Sequence, residues 1–358
     1  MCDWDSRGNN FDFMRLSLAV LVIYSHAFAL GLGSEATEPF VRLTHGQVSG
    51  GVIAVDAFFI MSGFLIAASA ERSRDVGTFL KKRVARIYPA FLVAALLIAF
   101  VILPLSGGEF LYAQPLARIG DFLLQTLRLR EFSYTGAFAH NPWPDAINGS
   151  TWSIQYEFWC YLGVAALLAV GMLRRRSVML ALFLASWIVS ILFHTRGWIL
   201  GGKDLGLILG PPQIWARMLP LYLAGVVFYL YRERIPLRGW IAAASAIALL
   251  GASWFASGWV VLFPFAGTYL LFWFAFAPML RLHRFGRFGD FSYGTYLYAF
   301  PVQQLLMEKF GHPVSPALLF VCATPITLMI AVASWYAVER HFLAPVRRKE
   351  TVLHTALD

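Results

Sequence analysis

Ten runs of apolar residues, each about as long as a bilayer is thick, recur along this chain, and nothing in it constrains the fold more. They cover roughly 11–31, 50–70, 84–104, 151–171, 178–195, 214–231, 239–256, 259–279, 290–308 and 316–338. A helix rising 1.5 Å per residue needs about 20 such residues to cross the hydrocarbon core. The expected fold class is therefore all-α: a polytopic integral membrane protein of about ten transmembrane helices. Composition agrees, with 59% of the 358 residues apolar and only 14% charged, against about one quarter charged in soluble domains. The first run lacks a strongly basic leader and contains Arg15 and His26, so it is expected to be retained as a helix and not removed as a signal peptide. One membrane domain is expected over 1–340, followed by a short tail over 341–358.

The net charge of +9 does not point to nucleic acid, because the basic residues form no single face or arm. They fall in short clusters between alternate apolar runs: Arg72 to Arg86, "RRR" at 174–176, "RERIPLR" at 232–238, "RLHRFGR" at 281–287, and the tail from Arg340. These hold 19 of the 29 lysines and arginines. All lie on one side if both termini are cytoplasmic, as the positive-inside rule requires. One segment tests the scheme. "PLARIGDFLLQTLRLR" (115–130) is apolar at helical spacing, and as a span it would invert every later loop. It is short and charged, so it is expected as an interfacial helix on the outer surface, within an external connection at 105–150.

Ionisable residues inside a span are costly and mark candidate sites. In the first run Asp12, Arg15 and His26 share one helical face. Asp56 lies about six residues into the second run and Glu157 about six into the fourth, so on this topology both share the depth of His26. A histidine beside carboxylates suits general-base chemistry. The same groups also suit plain interhelical hydrogen bonding. "KKRVARIYP" (81–89) puts Lys81, Lys82, Arg83 and Arg86 at the cytoplasmic mouth of the third run, where they fit either phosphate groups or simple anchoring to anionic lipid. Trp143 and Trp152, near the outer end of the fourth run, suit either stacking on a sugar or an aromatic belt. The aromatic-rich "GDFSYGTYLYAFPVQQ" (289–304) ends in Pro301, Gln303 and Gln304. Asn148-Gly149-Ser150 has the form of a glycan acceptor. Cys2, Cys160 and Cys322 show neither metal spacing nor a disulfide framework, and no metal is expected.

Five of these segments, in this order, resemble the membrane acyltransferase-3 family. They are Arg15 and His26 with ten residues between them, "FFIMSGFLI" (58–66), "KKRVARIYP" (81–89), "TWSIQYEFWCYL" (151–162) and "FSYGTYLYAFP" (291–301). The resemblance spans about 10 to 340. It implies an integral membrane O-acyltransferase that takes an acyl group, usually acetyl, from cytoplasmic acyl-CoA and delivers it to a hydroxyl of a sugar, polysaccharide or glycolipid. Carried over, His26 is the essential histidine and Arg15 its signature partner, with Glu157 and Asp56 as candidates to orient it or bind the acceptor. Arg83, Arg86 and Lys82 would serve the acyl-CoA phosphates. Trp152, Tyr156 and Tyr293 are candidates to contact the acceptor. Many members carry a histidine where this chain has Ala299, and some append a hydrolase-like domain that this sequence lacks. The resemblance and compact loops imply a bacterial inner (plasma) membrane. The alternatives are a secondary transporter or flippase using the His/carboxylate cluster as a proton relay, and a sensor or scaffold without chemistry.

Overall fold

In a computed structural model the described residues are 9–73, 75–107, 115–130, 132–198, 209–277 and 282–343. Arg7, Arg74, Arg281 and the segment 344–358, which carries most of the expected tail, lie outside them. The described chain is helical: α1 (Phe11–Leu32), α2 (Pro39–Leu43), α3 (Gly50–Glu71), α4 (Val76–Leu105), α5 (Pro115–Leu127), α6 (Trp152–Ala169), α7 (Arg176–Arg196), α8 (Pro212–Tyr231), α9 (Gly239–Ala252), α10 (Gly258–Phe276), α11 (Ser292–Phe310) and α12 (Pro316–Leu343). A small antiparallel hairpin, β1 (Phe132–Ser133) with β2 (Ala146–Asn148), interrupts them.

Among the described residues seven helices are long and apolar enough to cross a bilayer: α1, α3, α4, α7, α8, α10 and α12. Each of the other three expected spans coincides with a helix that falls short for a visible reason. The α6 helix carries Ser153, Gln155 and Glu157; α9 has 14 residues; α11 carries Gln303, Gln304, Glu308 and Lys309. The surface is that of a protein in lipid. Ile247, Val321 and Met329 are exposed, whereas Gln303, Gln304, Thr295 and Thr327 are buried. Such an inverted distribution suits an apolar solvent: the outward side chains are apolar, while Thr295 Oγ1, Gln303 Nε2 and Gln304 Nε2 each donate to a carbonyl within the protein.

The chain divides into two compact units. The first gathers residues to 18, 36–79 and 156–287; the second gathers 19–35, 80–155 and the chain from 288 on. In the first, α3 and α8 run side by side with glycine at the crossing. A methyl group at Gly63 would sit 1.9 Å from Tyr222 O, and one at Gly225 would sit 1.9 Å from Ile60 O. Only glycine permits so close a backbone approach. Beyond the crossing Phe64 enters an aromatic cluster, 4.6 Å from Phe272 and 5.8 Å from Phe11 between ring centres. Buried Glu38 caps two helices at once, accepting from Val41 N of α2 at 2.8 Å and Gly50 N of α3 at 2.9 Å.

In the second unit α1 packs on α11 and α12. Ile23, Ala299, Val302 and Ala323 form one buried cluster, and Ala27, Leu30, Phe300, Met307, Val314 and Leu319 form the next. Here the structure corrects the sequence reading of 105–150. The α5 helix does not lie flat beyond the end of α4; it folds back along it. Leu127 O, at the last residue of α5, accepts from Tyr88 OH at 2.9 Å. Tyr88 precedes the end of α4 by 17 residues, about 26 Å of helix. The hairpin segment then descends beside α11. Gln304 Nε2 donates to Trp143 O and Ala146 O, Asn148 Nδ2 donates to Leu297 O, and Tyr296 OH donates to Ser150 O. From Gln304 to Tyr296 is about 12 Å along that helix. The segment is thus re-entrant, and its irregular backbone is tolerated because protein groups satisfy it. Asn148, fully buried and bonded to α11, is a structural residue and not a glycan acceptor.

Candidate active site

The second unit contains a cavity of about 370 Å3 built on α1, the re-entrant hairpin and α11. His26, Ala29 and Leu30 of α1 form one wall, with Glu35 just beyond it. Phe132, Ser133, Trp143, Ala146, Gly149 and Trp152 supply the hairpin side, and Phe300 supplies α11. Each wall is fixed. Buried Gln303 donates to Ile23 O, one turn before His26, at 2.9 Å. Gln304 holds the hairpin, with Asn141 Nδ2 donating to its Oε1 at 2.9 Å. Gly149 leaves room for Phe300, whose ring carbon would lie 2.9 Å from a methyl group there. The edge of one ring meets the face of the other between Phe300 and His26, with centres 5.3 Å apart at 84°.

His26 itself is the unusual member. Its Nδ1 is buried and accepts or donates no hydrogen bond to any described residue. A buried polar atom without a protein partner is rare and costs free energy, which a bound group can recover. An imidazole in an aromatic-walled cavity can exchange a proton with a hydroxyl held against it. Of the sequence candidates, the structure brings Trp143 and Trp152 to His26. It adds Glu35, which lies past the end of α1 and gave no periodic signal.

Other candidates have partners elsewhere. In the first unit Asp56 Oδ1 accepts from Arg217 at 2.6 Å, and Glu157 Oε1 accepts from Ser62 Oγ at 2.8 Å and Tyr161 OH at 2.5 Å. Neither carboxylate is a partner of His26 Nδ1. The expectation of equal depth assumed that α6 starts at the surface, whereas it starts beside Tyr296, Ser153 Oγ lying 2.8 Å from Tyr296 OH. Tyr156 is buried against Trp215, ring centres 5.2 Å apart, in the first unit. Arg15 pairs with Asp12 at 3.5 Å. It stands on α1 about 16 Å from His26.

The basic segment of α4 also differs from expectation. Arg86 is ion-paired with Asp290, Nη2 to Oδ2 2.6 Å, both groups being mostly buried. Tyr293, expected with the acceptor, stands here instead: its OH donates to Ile87 O at 3.1 Å, and the Arg86 guanidinium carbon lies 5.7 Å from its ring centre. Nearby Glu339 is buried, its Oε1 accepting from Ser334 Oγ at 3.2 Å. Asp290, immediately before α11, was missed by the sequence reading; its only signal was an acidic residue at the start of an aromatic-rich run. Arg217 was missed too, although it is a lone arginine within an apolar run. Lys81 is exposed, Arg83 half-buried and Lys82 buried.

A helical bundle with apolar exterior and a histidine-lined aromatic cavity defines an integral membrane protein with a candidate enzymatic site. Its family follows from sequence comparison: a family model described as an acyltransferase domain matches residues 9–336, and the chain belongs to that acyltransferase-3 family. It is 28% identical over 352 residues to an O-acetyl transferase of Shigella phage Sf6, covering 94% of this chain and 96% of the relative. It is 26% identical over 368 residues to nodulation protein 10 of Rhizobium leguminosarum bv. viciae, covering 93% and 92%. A shorter stretch of 115 residues is 35% identical to the acyltransferase MdmB of Streptomyces mycarofaciens, covering 31% and 27%. No solved structure matches the chain significantly.

Proposed function

We propose that this membrane acyltransferase moves an acyl group, acetyl in the first instance, from acyl-CoA to a hydroxyl of a sugar, polysaccharide or glycolipid. The observation that carries the reading is His26, with its unpartnered Nδ1, in an aromatic cavity of a chain from this family. The donor supplies an activated thioester carbonyl. His26 takes the proton of the acceptor hydroxyl as that oxygen attacks the carbonyl. As the carbon–sulfur bond breaks, the imidazolium returns the proton to the thiolate. Attack by the imidazole itself, giving an acyl-histidine that the hydroxyl then opens, uses the same cavity. Trp143 and Trp152 offer apolar faces to a sugar ring, and a bound acceptor filling the cavity would displace competing water.

The donor is polyanionic, and the charges of exposed Lys81 and half-buried Arg83 on α4, with buried Lys82 between them, suit its phosphates. Arg86 has its own carboxylate, so its role is to position α4 against α11 rather than to bind phosphate alone. Arg15 adds positive charge on α1. Basic loops at alternate connections support cytoplasmic termini, a cytoplasmic donor and ten crossings. The relatives come from bacteria and a phage, which supports a bacterial inner membrane. Purified protein in detergent, given acetyl-CoA, should release free thiol through repeated turnovers only when a glycan acceptor is present, and at most one equivalent per enzyme without it. Thiol release unaffected by His26→Ala would overturn the proposed role of the cavity.

A further inference from the structure

A second cavity, of about 440 Å3, lies wholly within the first unit and has no place in the mechanism above. Its walls are the first turns of α3, α8 and α10 and the last turns of α7, so four helices meet there by the ends that the charge pattern assigns to the outer face. Three features show what would fill it. Trp259 is buried and lines the cavity, yet its Nε1–H has no hydrogen-bond acceptor among the described residues. Gln213 lines it too, and its Oε1 is buried without a donor among them. Arg217 and Asp56, also on the wall, neutralise each other at 2.6 Å. Among the described residues, the only other ionisable side chain lining it is the exposed His194.

These features exclude most ligands. A hydrocarbon chain would leave both orphaned atoms unsatisfied. An anion would find its arginine already paired. What fits is an uncharged group able to accept from the indole N–H and donate to the amide oxygen, and a hydroxyl does both. Aromatic walls from Phe193, Trp198 and Trp259 suit the apolar faces of a ring that carries such hydroxyls. The wall is also preorganised. Trp259 stacks on Phe263, ring centres 5.2 Å apart and 19° from parallel. Its backbone N–H donates to Gln47 Oε1 at 3.0 Å, while Gln47 Nε2 donates to Ser253 O at 2.8 Å. A side chain fixed this way meets a ligand with little further ordering cost.

We propose that this cavity is a binding site for an uncharged pyranoside, with Trp259 Nε1–H and Gln213 Oε1 as its hydroxyl partners and the Arg217–Asp56 pair as a neutral polar wall. It rests on the acyltransferase reading only for the idea that this sugar belongs to the acceptor; binding itself requires no transfer. The test uses the full-length protein with native cysteines changed to serine and Ala216→Cys placed on the cavity wall. Maleimide labelling of that cysteine is followed with an equimolar mixture of methyl hexoside, methyl 6-deoxyhexoside and methyl N-acetylhexosaminide, and separately with glycerol. The sugars should slow labelling about fivefold when present at several times their dissociation constant, and glycerol should not. Adding Trp259→Phe, which keeps an aromatic ring and removes the N–H, or the near-isosteric Gln213→Leu, should abolish protection while elution on size exclusion is unchanged. His26→Ala should lose acyl transfer and keep protection, which separates this site from the reaction. Labelling unaffected by the sugars, or protected equally by glycerol or in the two variants, would overturn the proposal and leave a water-filled cavity.

Discussion

His26 and Arg86 illustrate what a side chain's neighbours do to its meaning. The sequence marked His26 as a costly ionisable group in an apolar run and Arg86 as one of a basic cluster at the mouth of another. The structure leaves His26 Nδ1 without a partner and gives Arg86 one at 2.6 Å. Replacing His26 with alanine should therefore cut the transfer rate to below about a tenth, since general-base catalysis contributes roughly a hundredfold or more. Detergent stability should barely change, because no hydrogen bond is lost. Steady-state rates and a melting curve on the same preparation check both halves. The two arginines of α4 should now separate. Arg83→Gln is expected to raise the Michaelis constant for acetyl-CoA about tenfold, as loss of one charge-assisted phosphate contact would. Arg86→Gln and Asp290→Asn should instead both destabilise the fold, by about 1–3 kcal/mol, because either leaves a mostly buried group unpaired. Equal effects of the three on the Michaelis constant, without loss of stability, would return Arg86 to the donor site. Pairings such as Arg86–Asp290 and Asp56–Arg217 join residues 204 and 161 positions apart. No local pattern encodes them, which is why the sequence marked the ions and missed their partners.

At the scale of elements, the apolar period was enough to find the helices, because a membrane helix must satisfy its backbone internally and its lipid face must be apolar. The re-entrant segment was not legible for the same reason. Its 13-residue helix is amphipathic, with Ile119, Leu123 and Leu127 exposed and Phe122 and Thr126 buried. An amphipathic helix on a membrane surface has the same pattern as one folded back along a neighbour. Only Tyr88 and the side chains on α11 decide between them. Nor did periodicity reveal the glycine crossing of α3 and α8, since glycine in an apolar run reads simply as small. Gly225→Val should lower stability by about 1–3 kcal/mol, because the added carbons meet the Ile60 carbonyl and the helices must separate. Gly163→Ala is the control. A methyl group there meets nothing within 4 Å, and the substitution should be neutral or slightly stabilising through helix propensity. Melting temperatures in one detergent compare the two, and equal shifts would remove the close crossing as a source of stability.

For the whole molecule the governing quantity is the sign of each connection. Basic clusters recur at 81–86, 174–176 and 232–238, always after an even number of further expected crossings. The short α5 is consistent with that count, since 13 residues extend only about 20 Å and do not cross the hydrocarbon core of about 30 Å. The fold-back of α5 alters which external residue reports on it. Position 130 follows directly from Leu127, whose carbonyl bonds Tyr88, so it lies well away from the end of α4. His140 is the better probe. It is exposed, and its neighbour Asn141 bonds Gln304 near the far end of α11. With native cysteines removed, His140→Cys should react with a membrane-impermeant maleimide in intact cells. Arg175→Cys, at the exposed start of α7, should react only after the membrane is opened. The reverse result would put the basic loops outside, against the charge rule, and Lys81 and Arg83 would then face a compartment without acyl-CoA. Because the donor's phosphates and the acceptor must reach the protein from opposite sides in the proposed reaction, that one labelling pair bears on the chemistry as directly as on the topology.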